Sequence, residues 1–209
     1  MRNEFVKGLA VLKRQLTAMN GMVEKAVIAS VGYLIEGDRS CFSSVHTLEK
    51  QINKMEKEIE HICTRLLIFQ QPLIADDYKE VLCAQKMVVD LERIGDNAED
   101  IVNIAERLHG KDMIREYGII PEMSRETIRL VKLSLQAFLT RDISLIEHME
   151  EYDDVIDRML DEVKSEIAAI ILKNPAAIDV GLDVLLIAKY FEKIADHAVN
   201  IAGHVMGMG

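Results

Sequence analysis

Two carboxylates four residues apart on a helix stand about one turn apart on one face, the spacing at which a pair of acids can share a cation. This chain presents such a pair twice, one hundred positions apart: LERIGDNAEDIVNIA from Leu91 and FEKIADHAVNIAGHV from Phe191. Glu92 aligns with Glu192, Ile94 with Ile194, Asp96 with Asp196, Ala98 with Ala198 and Ile101 with Ile201. At about 100° per residue from Leu91, the apolar stripe of Ala84, Ile94, Gly95 and Ala98 lies within about 60°, while Glu92 falls at about 100° and Asp96 at about 140°. The second copy gives the same angles for Glu192 and Asp196. Both pairs therefore sit on the flank of a buried stripe, where a neighbouring helix can add ligands.

Such ligands are available one helix earlier in each half. At an offset of 104 positions, VHTLEKQINKME from Val45 meets MEEYDDVIDRML from Met149, so that Glu49 matches Asp153 and Asn53 matches Asp157. Both positions again flank an apolar stripe, built on Ile52 and Ile156. A four-oxygen cluster beside a core is tolerated only if a cation neutralises it. Oxygen-rich sets suit magnesium, manganese, calcium or iron, and zinc less characteristically. The residues alone leave a second reading open, in which the acids are solvated helix faces preserved by duplication.

Other reactive residues are sparser. Glu58 and His61 form a single E-x-x-H, and a di-iron bundle needs two with further glutamates. His197 and His204 lie near the second acidic pair and are candidate nitrogen ligands. Cys63 and Cys83 read as small core residues on neighbouring helices. Three cysteines with no C-x-x-C fit a reduced cytosolic setting. The sequence contains no phosphate-cradling glycine loop, nucleophile elbow or Ser/His/Asp constellation, so no catalytic reading stands out.

The elements that must position these acids are helices. The 209 residues include no Trp and only three Pro, and 49% of them are apolar, a helical-bundle composition. The net charge of −10 argues against binding nucleic acid or an anionic membrane. The longest apolar run, IAAIIL from Ile167, falls well short of the roughly 18 residues of a membrane span. The N-terminal segment lacks an uninterrupted signal-peptide core. Apolar positions 5, 9, 12, 16, 19, 23, 26 and 33, with Ser30 in the same register, predict a first helix ending at Gly37, with Asp38 capping the next. A second helix over 40–69 is stopped at Pro72, and a third ends near Gly110. The plan then repeats: Pro121 in a connector, a fourth helix over 122–140, Asp142 in the capping place of Asp38, a fifth helix from Met149, and Asn174-Pro175 opening a sixth. Asp38 and Asp142 are 104 positions apart and Pro72 and Pro175 are 103 apart. Such steady offsets predict an all-α fold of two tandem homologous three-helix bundles, over 1–110 and 111–209. Helices of about 30 residues run roughly 45 Å, so the bundles are elongated.

With two three-helix repeats and L-E-R-I-G-D-N-A echoed as F-E-K-I-A-D-H-A, the chain resembles the PhoU family of phosphate-signalling regulators over essentially its whole length. The resemblance implies a cytoplasmic, non-enzymatic adaptor that forms a homodimer. It implies partners in the ATPase subunit of the phosphate ABC transporter and in a phosphate-sensing histidine kinase, with contact to the membrane only through them. The phosphate-starvation response is then restrained when phosphate is plentiful. The resemblance also implies metal ions, singly or as a multinuclear cluster of iron, zinc, manganese or magnesium, on the acidic pairs. Carried onto this chain, the second set is Asp153, Asp157, Glu192 and Asp196. The first is Glu49, Asn53, Glu92 and Asp96, with Asn53 where the pattern has Asp, and Asp100 and Asn200 are accessory candidates. Two alternatives stand beside the adaptor: a carboxylate-bridged metal storage or oxidase bundle, and a ligand-free oligomerisation bundle.

Overall fold

The computed structural model describes residues 2–69, 75–108 and 118–208. Six α-helices run through these residues: α1 Arg2–Glu36, α2 Arg39–Phe69, α3 Ala75–Leu108, α4 Ile120–Thr140, α5 Met149–Lys173 and α6 Ile178–Met206. No strand occurs among the described residues. Pro72, Gly110 and the expected boundary between 110 and 111 lie outside the described residues.

The turn chemistry follows the residues. Gly37 takes φ 71°, and its N–H bonds the Tyr33 carbonyl to close α1. Glycine adopts this left-handed conformation without a Cβ clash. Asp38 then accepts from the Ser40 N–H at 2.8 Å, capping α2. In the second half Asp142 likewise accepts from the Ser144 N–H, at 3.1 Å. What it caps is a short 3-10 turn, Ile143–Ile146, and α5 begins only at Met149. Asn174-Pro175 likewise opens a 3-10 turn, Pro175–Ala177, with the Asn174 side chain accepting from the Ala176 N–H, before α6 starts at Ile178.

The helices α1, α2 and α3 pack together, as do α4, α5 and α6 around α6, and the two bundles join where α3 lies against α6 and α1 against α4. One continuous apolar core runs through all six, from Phe5, Leu16 and Val45 to Ile156, Phe191 and Ile201. Cys63 and Cys83 are buried in it, their thiols pushed up to about 12 by burial. Buried hydroxyls are satisfied along their own helices: Ser30, Thr127 and Ser134 each donate to a carbonyl three or four residues back.

Contacts along α3 and α6 fix their direction. Asp90 meets Asn200, Asp100 meets Tyr190, and Arg107 meets Asp183 at 2.6 Å. Residue numbers rise on one helix as they fall on the other, so α3 and α6 are antiparallel. Because the repeat offset here is one hundred positions, Asp90 corresponds to Tyr190 and Asp100 to Asn200. The seam is thus pseudo-twofold, and it places the Glu92/Asp96 and Glu192/Asp196 pairs in related settings.

Candidate metal centre

In the second repeat α5 packs against α6, and Ile156 on the one and Phe191, Ile194 and Ala195 on the other are fully buried. The acids stand beside this contact. Glu192 is only 8% exposed. Its Oε1 accepts from the Lys189 ammonium, whereas its Oε2 is enclosed with no hydrogen-bond partner among the described residues. Asp153 across on α5 is half-buried, and its Oδ1 is also enclosed and unpartnered among the described residues. Burial, then the charges of Asp196, Asp157 and Glu192, push the Asp153 carboxyl up to about 6. Burial also raises Asp196, with Glu192 adding to the shift and Lys189 opposing it. The four acids expected from the sequence therefore share one field. Asp157 and Asp196 are exposed, so the set opens to solvent on that side.

The first repeat brings its set together with different neighbours. At the α2–α3 contact Gly95 packs under Ile52: a Cβ added to Gly95 would meet Ile52 Cδ1 at 3.0 Å and Cγ2 at 3.2 Å. That close approach seats Glu92 and Asp96 against α2. Burial and the Asp96 and Glu56 charges push Glu92 up to about 7. Glu49 is raised by burial, then by Glu99 and Asp96. The Asn53 amide donates to Glu49, leaving its own Oδ1 enclosed and unpartnered among the described residues. Three further residues join this set: Glu56, raised by burial and by Glu60, with a smaller push from Asp96; Glu99; and His46, whose Nδ1 lies 2.5 Å from Glu99 Oε1. His46, Glu49, Asn53 and Glu56 follow three- and four-residue steps along α2, as Glu92, Asp96 and Glu99 do along α3. That periodicity is the signal by which sequence reasoning could have found them. It is hidden in a comparison of the repeats, because Glu56 and Glu99 align with Leu160 and Val199.

The remaining candidates go elsewhere. His197 and His204 turn to α3 and engage Asp90, Nδ1 to Oδ1 at 2.9 Å and Nε2 to Oδ2 at 3.1 Å. The Asn200 amide donates to the same Asp90 Oδ1 at 3.5 Å. Asp100 stays within electrostatic range of Asp96, but its carboxylate takes the Tyr190 hydroxyl. These four residues are engaged in the seam between repeats, which the acidic spacing could not reveal. His61 is exposed on α2.

The residues of the second set fit a hard cation: all four donors are carboxylates, and two of their oxygens are buried without a hydrogen-bond partner among the described residues. As the side chains stand, no group of three or more Asp, Glu, His or Cys among the described residues is arranged to hold a metal ion. Closing around one requires rotation of side chains, for which the exposed Asp157 and Asp196 have room. The first set offers oxygens, one amide and one nearby imidazole, a more mixed donor list. Among the described residues no helix is long and apolar enough to cross a membrane.

The family model described as the PhoU domain matches this chain twice, over residues 16–105 and 120–205. A protein of Pseudomonas aeruginosa named phosphate-specific transport system accessory protein PhoU homolog is 32% identical over 200 residues, covering 95% of this chain and 82% of the relative. A protein of the same name from Clostridium acetobutylicum is 29% identical over 203 residues, covering 96% and 91%. The crystal structure of PhoU from Pseudomonas aeruginosa superposes with a TM-score of 0.91 at 31% identity, covering 98% of both chains. The phosphate transport system regulatory protein PhoU from Streptococcus pneumoniae shares the fold, with a TM-score of 0.87 at 22% identity, covering 98% of this chain and 96% of that one.

Proposed function

The chain belongs to the PhoU family, and from that membership we propose that it is a cytoplasmic regulatory adaptor of phosphate uptake rather than an enzyme. In this reading it acts with the phosphate ABC transporter, through the ATPase subunit, and restrains a phosphate-sensing histidine kinase while phosphate is plentiful. A homodimer is part of the same reading. The observation that carries it is the match of both repeats to one domain, together with similarity over 95–96% of this chain to relatives named as accessory proteins of phosphate transport. The architecture agrees: long helices around one continuous core make a stiff body with broad faces for partners.

Metal enters as the second half of the proposal. Asp153, Asp157, Glu192 and Asp196 would hold one ion or a small cluster, and Glu49, Asn53, Glu92 and Asp96 another. Magnesium, manganese, iron and zinc are the candidate ions, the hard oxygen set favouring the first three. Bound metal would neutralise carboxylates that burial otherwise disfavours and so stiffen the α2–α3 and α5–α6 contacts. A storage or oxidase bundle is less well supported, since His61 faces solvent while His197 and His204 serve Asp90.

The regulatory reading is tested by deleting the gene in its source organism and measuring phosphate-starvation transcripts in phosphate-rich medium. They are expected to rise. Transcripts that stay fully repressed would sink the reading.

A further inference from the structure

Each acidic pair on α3 and α6 carries a cation of its own, and the two repeats take it from different positions. In the first, Arg93 lies 3.5 Å from Glu92 and 3.7 Å from Asp96. Its equivalent in the second repeat is Lys193, whose ammonium instead stands 5.2 Å over the Tyr190 ring. The second pair is served by Lys189, bonded to Glu192 and close enough to Asp196 to oppose the rise in its pKa. Its equivalent in the first repeat is Val89, which carries no charge. The repeats thus agree in setting a cation beside each pair, while differing in which residue supplies it.

Resting on the reading of these sets as metal sites, we propose that Lys189 and Arg93 are tethered counter-ions that a divalent metal must displace, so that Lys189 sets the affinity of the second site and Arg93 that of the first. The second site rests on more than a gathering of acids, because Glu192 is buried and keeps one oxygen unpartnered among the described residues, as Asp153 does with its Oδ1. Lys189 is placed to be exchanged. Its side chain is 46% exposed while that of Glu192 is 11% exposed. The ammonium therefore reaches inward from water on a flexible stem and can return there. A metal arriving at Glu192 gains a carboxylate already stripped of water but meets the positive charge of Lys189. Arg93 is held more loosely, at longer distances and 58% exposed, so its barrier is the smaller. The two sites then differ in affinity through their counter-ions as well as through Asn53.

Manganese(II) titration of the purified full-length chain, by calorimetry and by the loss of the free-ion resonance signal, tests this. Glu92→Gln with Asp96→Asn serves as the background in which the second set alone is intact. There, Lys189→Met is expected to tighten manganese binding about three- to tenfold, the range of an exposed-to-buried ion pair, while Lys189→Arg stays close to the parent. Val89→Lys in an otherwise native first set is expected to weaken that set by a similar factor. Unchanged or weaker binding by Lys189→Met, with the parent still binding manganese, overturns the counter-ion role and leaves the metal reading standing. Absence of manganese binding in both parent and variant overturns both. A melting curve for each variant shows that it is folded.

Discussion

Tyr190 bonds Asp100 across the α3–α6 seam at the place that the internal repeat relates to Asp90 and Asn200. The two contacts are the same contact made twice, in opposite directions, between antiparallel helices. They have diverged in strength. Asp90 is 9% exposed and gathers three partners, His197, His204 and Asn200, whereas Asp100 takes one hydroxyl from the half-buried Tyr190. Asp90→Ala strips the shared acceptor from three polar groups and is expected to cost about 2–4 kcal/mol. For a chain of this length that lowers the melting temperature by roughly 5–10 °C. Tyr190→Phe removes one part-exposed hydrogen bond and is expected to cost about 1 kcal/mol or less. Equal melting temperatures for the two variants would contradict this ranking.

Glu92 and Asp153 give the metal-free protein a defined pH dependence. Their carboxyls are pushed up to about 7 and about 6, chiefly by burial. Both therefore hold protons in the native chain at pH values where the unfolded chain has released them. The native state binds more protons, so stability falls as pH rises from the ordinary carboxylate range towards about 7. In chelator, the chain is expected to melt higher at about pH 5.5 than at about pH 8 with respect to these groups. Glu92→Gln should raise stability at the upper pH by on the order of 1–2 kcal/mol and flatten that part of the profile. A parallel, merely offset profile for Glu92→Gln would show that this acid is not responsible.

The helices and the acidic pairs were legible in the sequence because both are written in local spacing. Three- and four-residue apolar steps place Ile52, Leu91, Ile156 and Phe191 inside, and the same arithmetic places Glu92 and Glu192 beside them. Gly37, Asp38 and Asn174 announce their turns through backbone chemistry that is equally local. The destinations of His197, His204, Asn200 and Asp100 were not legible. Each depends on which helix of the other repeat lies alongside and in which direction it runs, and no spacing within one helix encodes that. Glu56, Glu99 and His46 escape notice for a different reason. Aligning the repeats brings out what the two halves share, and these residues belong to the first repeat alone.

Gly95 marks a close helix approach at the first acidic set. A Cβ there would lie 3.0 Å from Ile52 Cδ1 and 3.2 Å from Cγ2, too close unless Ile52 shifts. Alanine in place of a mid-helix glycine gains roughly 1 kcal/mol of helix propensity, which opposes the packing cost. Gly95→Ala alone is expected to change stability by less than about 1 kcal/mol in either direction. Gly95→Val adds two methyl groups to a Cβ already tight against Ile52 and is expected to cost about 2–3 kcal/mol. Ile52→Val, which trims the nearest atom, should make Gly95→Ala more favourable than it is in the native background. Double-mutant denaturation measures this coupling, and strict additivity would show that the Gly95–Ile52 contact is not the constraint.

Asn53 and Glu192 separate stability from metal affinity, because their effects on the two should have opposite signs. Glu192→Gln removes a buried acid with one oxygen unpartnered among the described residues, so in chelator the variant is expected to melt at or above the parent. The same change removes a ligand, so stabilisation by added manganese should fall; metal at about one hundred times its dissociation constant contributes about 2.7 kcal/mol at an intact site. Asp196→Ala is expected to lose metal likewise, with a smaller effect in chelator because Asp196 is exposed. Asn53→Asp runs the other way. It places a fourth carboxylate among Glu49, Glu92 and Asp96 and gives up the amide bond to Glu49, so the metal-free chain should lose about 1 kcal/mol or more. With manganese the added charge should tighten the first site and recover that loss. The measurement is the melting temperature of each variant with chelator and with manganese, together with bound metal per chain. An Asn53→Asp variant that is destabilised equally in both conditions would rule out Asn53 as the residue that weakens the first site.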